Sequence, residues 1–220
     1  MVSGLAHCGV ALHLSSTGAS DTRPVVFVHD AGETLESWPP AFVRSLSAGN
    51  LAIRYDQRGH GRSSPANNPA TIGSLSDDLY ALLIDLDLDR ADLVGHGLGA
   101  LVALDQAWSR PETVRKLVLI DANFDALAQP PTTRSPVDLS RADVPTSTLL
   151  ATIEAPALVV CGNGESLVAT SQRLTTELRS ARQARLGTTH ALSDLALGAI
   201  VQGFVAEPEA PPESRKLPAA

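Results

Sequence analysis

Apolar residues recur along this chain in two alternating kinds of run. Short, β-branched runs ending in polar residues stand at VVFVHD (25–30), LAIRYDQ (51–57), ADLVGH (91–96), VRKLVLIDAN (114–123), APALVVCGN (155–163) and ARQARLGTT (181–189). Between them lie longer stretches with apolar residues three and four apart. SWPPAFVRSLSA (37–48) carries its prolines early, where a helix tolerates them. Residues 71–87 place Ile72, Leu75, Leu79, Leu82, Leu83 and Leu86 on one stripe with acids opposite. A helix from about Leu98 to Ser109, another between 163 and 181, and a last one outlined by Leu192, Leu195, Ile200 and Phe204 complete the series. Residues 5–16 read as an amphipathic strand or hairpin. Strands alternating with helices predict a mostly parallel sheet with helices on both faces, a three-layer α/β arrangement.

Two stretches break the pattern. Residues 124–152 are rich in Pro, Ser, Thr and Asp, and read as a long crossover or a minimal lid. PEAPPESRKLPAA (208–220) has the composition of a disordered tail. A chain of 220 residues fits one domain, here 1–207, with no internal repeat.

Composition narrows the function. With 44% hydrophobic and 19% charged residues the chain is globular, and a net charge of −7 disfavours nucleic-acid or anionic-membrane partners. No apolar run reaches transmembrane length, and the N-terminus lacks a basic region, so a cytoplasmic location is expected. Cys8 and Cys161 are far apart, with Cys161 placed as a core residue at a strand end, which suits a reducing compartment. No Cys cluster or paired helical histidines suggest a metal.

The chemistry centres on DLVGHGLGALVAL (92–104). Gly95, Gly97 and Gly99 hold the spacing of a G-x-S-x-G turn, in which a serine hydroxyl is raised between strand and helix. The central residue here is glycine. PVVFVHDAG, YDQRGHGRSS (55–64), VGHGLGA, IEAPALVVCGNGES and GTTH follow in an order that resembles the α/β-hydrolase superfamily, in its short single-domain branch, over roughly residues 5–206. The resemblance implies an α/β-hydrolase fold with nucleophile, acid and histidine in that chain order. Carried over by position, the nucleophile position is Gly97, the histidine His190 and the acid Glu165, with Asp121 as the alternative. The oxyanion donors would be the backbone N–H groups of Leu98 and Ala31. Two residues depart from the pattern: Gly97 for serine, and Asp30 for the glycine after His29.

Asp30 reads as a loop-holding residue or, alternatively, as an acid–base group pointing into the site. His29, Arg58, His60 and His96 read as residues that lock loops by hydrogen bonds. Without a serine there is no acyl-enzyme by the usual route. A His–carboxylate base facing backbone donors suits a cofactor-independent enzyme of small-molecule metabolism acting on a carbonyl-containing substrate, as cyclase, lyase or water-activating hydrolase. The alternatives are a serine ester or thioester hydrolase in an inactive Gly97 form, and a non-catalytic ligand- or partner-binding protein. A small lid implies an open site or one completed by a second copy in a homo-oligomer. If base and donors are in register, Gly97→Ser alone is expected to create esterase activity.

Overall fold

A computed structural model describes residues 3–5, 10–66, 70–125, 145–188, 190–194 and 196–208. Eight strands form one sheet: β1 (Ser3–Leu5), β2 (Ala11–Thr17), β3 (Arg23–Val28), β4 (Asn50–Tyr55), β5 (Ala91–His96), β6 (Val114–Ile120), β7 (Ala157–Cys161) and β8 (Ala181–Arg185). Their spatial order is β1-β2-β4-β3-β5-β6-β7-β8. Only β1/β2 and β2/β4 pair antiparallel; Ser3 faces His13 and Leu14 faces Tyr55 across them. The other five pairings are parallel, from β4 through β8. The N-terminal segment is thus a hairpin whose longer strand extends the parallel sheet.

The helices are α1 (Pro40–Ser47), α2 (Ile72–Asp85), α3 (Leu98–Ser109), α4 (Ser147–Leu150), α5 (Glu165–Glu177) and α6 (Leu197–Ala206). Because side chains alternate along a strand, β3 sends Val26 and Val28 to the layer of α2 and α3, and Val25 and Phe27 to the layer of α1 and α6. Both faces are therefore covered, and β5 is buried at all six positions. Helix α3 is buried nearly all round, as its composition dictates. Its one interior polar side chain, Gln106, is satisfied on both sides, by Ser76 Oγ at 3.0 Å and Thr113 Oγ1 at 2.8 Å.

Several boundaries differ from expectation. His29 and Asp30 fall beyond the end of β3, in a loop rather than the strand. The last helix starts at Leu197, not near Leu192, which instead sits in a 3-10 turn over Ala191–Ser193; Leu195 lies outside the described residues. That turn forms because the Asp121 carboxylate accepts the Ala191 N–H, fixing the chain before the helix can begin. Of the stretch 124–152, residues 126–144 lie outside the described residues, as do 209–220 of the expected tail. The remainder of the first stretch contains α4, capped by the Thr146 hydroxyl.

The sheet order reverses between β3 and β5. From β3 the chain moves outward to β4, and from β5 it moves the other way to β6. In open parallel sheets such a reversal leaves a crevice at the carboxyl ends of the strands. The residues singled out above follow those ends.

Candidate functional site

Gly97 links β5 to α3 with φ +53° and ψ −114°, a backbone state in the positive-φ half of conformational space that favours glycine. Gly99 serves another purpose, since a Cβ there would strike the backbone carbonyls of Val28 and His29. Its absence lets α3 approach β3 closely. This brings the 30–33 loop over the start of α3.

Asp30 then fills the place that Gly97 leaves empty. A β-carbon built on Gly97 would land on the carboxyl carbon and both oxygens of Asp30. Asp30 Oδ1 accepts the N–H of Leu98 at 2.6 Å and the N–H of Ala31 at 2.7 Å. These are the two donors that the sequence assigns to an oxyanion, and the chain's own carboxylate occupies both. Asp30 also supplies the N-terminal cap that Gly97, lacking a side chain, cannot give α3. A negative charge is favoured there by the helix dipole. Among the described residues Oδ2 takes no hydrogen bond.

The loop is held from behind. His29 is fully buried; its Nδ1–H donates to the Asp30 carbonyl at 2.7 Å, and its Nε2 accepts the Gln57 N–H at 3.0 Å. Burial holds this imidazole below its ordinary pKa, so it stays neutral. His60 Nε2 accepts the Gly32 N–H at 3.1 Å, and Arg58 pairs with the buried Asp78. These three residues lock loops.

His96 does more than that. It lines the cavity at 8% exposure, with Nδ1 3.3 Å from Glu33 Oε2 and Nε2 4.0 Å from Asp121 Oδ2. Burial alone would lower its pKa. The hydrogen bond to Glu33 and the charges of Asp30, Glu33 and Asp121 outweigh that and hold it above its ordinary value. Glu33, bonded to His96, is correspondingly held below the usual carboxylate range. Glu33 also accepts the Asp30 N–H at 3.2 Å. It has no counterpart in the sequence reading, because nothing in HDAGE marks that side chain as turning back toward a histidine 63 residues away.

Asp121 follows β6 with φ +48° and 4% exposure. Its Oδ1 accepts the Gly162 N–H at 2.8 Å and its Oδ2 the Ala191 N–H at 2.7 Å. It therefore pins the loop after β7 and the peptide following His190. Glu165 is elsewhere: it is exposed in the first turn of α5 and does not line the cavity. His190 follows β8 and lines the cavity together with Asp30, His96, Gly97, Leu98 and Asp121. The cavity measures about 630 Å³. Cys161 is buried away from it in β7. Among the described residues no group of three or more His, Cys, Asp or Glu side chains could hold a metal ion, and no helix is long and apolar enough to cross a membrane.

Comparison with known proteins agrees with this architecture. Residues 25–211 match the sequence model of the alpha/beta hydrolase family. A putative carbamate hydrolase RutD of Rhizobium rhizogenes is 36% identical over 104 residues, 46% of this chain and 39% of that protein. The protein of the same name from Variovorax paradoxus is 37% identical over 112 residues, 50% of this chain and 42% of its own length. The matches thus span about two fifths of those curated relatives. The solved enol-lactonase of Burkholderia xenovorans superposes with a TM-score of 0.77 at 20% identity, covering 93% of this chain and 98% of that one. With the strand order, the glycine turn after β5 and the family match over 25–211 all in agreement, the chain belongs to the α/β-hydrolase family.

Proposed function

We propose that this chain is a cofactor-independent hydrolase of small molecules that works without a serine nucleophile, with His190 as the general base that activates water. The observation that carries this reading is the gathering of His190, Asp30 and Asp121 around one cavity beside Gly97, which brings no nucleophilic side chain to the turn. His190 lines this cavity, and a positioned general base contributes about 10²–10⁴-fold in rate. Asp121 is the acid that serves it, as a positioning residue, because it holds the peptide next to His190 while Glu165 stands outside the lining.

The occupied donors choose among the reactions open to a base of this kind. Enolate chemistry of a cyclase or lyase needs the Leu98 and Ala31 amides for its developing charge, and Asp30 holds them. Water attack on a carbonyl carbon makes the same demand on these amides, whereas hydrolysis at a saturated carbon generates no oxyanion and proceeds with Asp30 in place. The hydrolytic name of the relatives, putative carbamate hydrolase, favours hydrolysis over cyclase or lyase chemistry. The fit of Asp30 into the space at Gly97 supports the chain as it stands over an inactive form of a serine enzyme, since a serine there would meet that carboxylate.

The test is turnover of a panel of neutral esters, lactones, carbamates, epoxides and haloalkanes. His190→Ala is expected to cut turnover of the best substrate by about 10²–10⁴-fold while leaving the melting temperature near that of wild type. Equal rates in the two proteins, or no turnover of any class, would overturn the reading in favour of a ligand-binding role.

A further inference from the structure

Resting on the reading of His190 as the base of this cavity, we propose that His96 is the general acid of the same reaction, and that the substrates taken are those whose leaving group is a basic oxygen or nitrogen. Three buried imidazoles stand at this end of the sheet, and they use their ring nitrogens differently. His29 engages both with the protein, the Asp30 carbonyl on one side and the Gln57 N–H on the other. His60 does likewise, with the Arg58 carbonyl and the Gly32 N–H. His96 engages one. Its Nδ1–H donates to Glu33 Oε2 at 3.3 Å, and an ionised carboxylate can only accept. Its Nε2 makes no hydrogen bond among the described residues. It stands 4.0 Å from Asp121 Oδ2, beyond hydrogen-bond reach, and that oxygen already accepts the Ala191 N–H. The His96 side chain is 10% exposed, and it lines the cavity with Asp121 and His190. Buried polar groups are nearly always bonded, so an unpartnered nitrogen on the side of the ring facing Asp121 is placed to meet an atom of substrate.

The pairing with Glu33 also fixes which proton can move. Protonated His96 carries N–H on both nitrogens. Glu33 keeps the one on Nδ1, so the transferable proton is on Nε2, and the ring holds its orientation after giving it up. Asp30 and Glu33 face His96 from the loop after β3, and Asp121 faces it from the end of β6. Against the lowering effect of burial, the hydrogen bond to Glu33 and these three charges keep the ring protonated to higher pH than an ordinary imidazole.

In the reaction His190 takes a proton from water as the water oxygen forms a bond to the electrophilic carbon. The bond from that carbon to the leaving group breaks, and its electron pair goes to the departing oxygen or nitrogen. That atom takes the proton from His96 Nε2 and leaves as a neutral alcohol or amine. The cycle closes when His190 releases its proton to solvent and His96 takes one up, so one water is consumed. The substrate class follows from the same step. A halide or a nitrophenolate departs without a proton, whereas an aliphatic alkoxide or an amine nitrogen does not, so a positioned acid matters most for the latter.

The test uses the full chain and two pairs of probes that differ in leaving group: styrene oxide with benzyl chloride, and benzyl acetate with 4-nitrophenyl acetate. His96→Asn keeps an N–H for Glu33 and removes the transferable proton. On the pair that the chain turns over, it is expected to lose at least about 10²-fold with the basic leaving group and far less with the other member. Glu33→Gln keeps an oxygen for both of its N–H partners and removes the charge that favours protonated His96. With the basic leaving group, the alkaline limb of its kcat/KM profile should therefore move to lower pH than in wild type. Equal losses on the two members of a pair in His96→Asn overturn the proposal, as does an alkaline limb that Glu33→Gln leaves in place. His190→Ala would keep its loss on both members in either case, so the base and the acid fail separately. No turnover of any of these probes overturns both.

Discussion

Gly97 and Asp30 share one volume. The residue after β5 has lost its side chain and the residue after His29 has gained one, and the gained carboxylate lies where the lost group would stand. The two departures from the family pattern are thus a single structural change. This corrects the expectation for Gly97→Ser. The new side chain must displace Asp30 from two charge-assisted N–H bonds and must itself occupy a positive-φ position. Gly97→Ser alone is expected to lose about 3 kcal/mol in denaturant titration and to gain no esterase activity. Asp30→Gly combined with Gly97→Ser empties the space and frees both amides. The double variant is expected to be more stable than the sum of the single changes and to hydrolyse 4-nitrophenyl acetate. Strict additivity of the two stability losses would show that the side chains do not compete for that space.

At the scale of elements, the fold holds its helices by polar contacts that strand patterning does not reveal. Lys116, on β6, is 2% exposed, and its Nζ donates to the carbonyls of Phe204, Val205 and Glu207 at 2.7, 3.1 and 2.6 Å. These carbonyls lie at the C-terminal end of α6, where Phe204 takes a capping N–H from Glu207 at 3.3 Å and a cation is favoured. Burial holds the ammonium below its ordinary pKa, yet three acceptors and the Phe204 ring at 5.1 Å satisfy it. Lys116→Met keeps the aliphatic stem and removes the donors. It is expected to destabilise the protein by about 2 kcal/mol in urea unfolding, the penalty for stranding buried carbonyls. Because α6 packs on α1 rather than on the cavity, the KM for substrate should hardly change.

At the scale of the whole molecule, the site is an assembly of strand ends. Asp30 follows β3, Gly97 follows β5, Asp121 follows β6 and His190 follows β8, so residues up to 160 positions apart meet only when the sheet is complete. The His96–Glu33 pair ties this assembly to pH. His96 has a folded pKa above its ordinary 6.5, so its contribution to stability is full below 6.5 and is lost as pH rises through the raised value. Glu33 has a folded pKa below its ordinary 4.5, so its contribution is full above 4.5 and is lost as pH falls through the lowered value. The difference in melting temperature between wild type and His96→Asn should therefore be greatest between 4.5 and 6.5 and shrink on both sides. A difference that stays constant from well below pH 4.5 to well above pH 6.5 would show that the pair is not coupled to folding.

The amino-acid sequence by itself determined the layer order. Runs such as ADLVGH and LGALVALDQAWS have one periodicity each, and β5 and α3 form over 91–96 and 98–109 as their patterns require. It also determined the glycine turn between them, because the positive φ of Gly97 is a local property of the backbone. Position along the chain was enough to bring His190, Asp30 and the two amides to one place. What the amides hold, and where Glu165 and Asp121 lie relative to the cavity, was decided by tertiary packing. Glu165 and Asp121 both follow strands, but one begins an exposed helix while the other turns inward to collect two N–H groups. Likewise His29, His60 and His96 look alike in sequence, yet only His96 meets carboxylates from two separate loops. Side-chain direction in a loop is set by neighbours distant in the chain, and no local pattern encodes it.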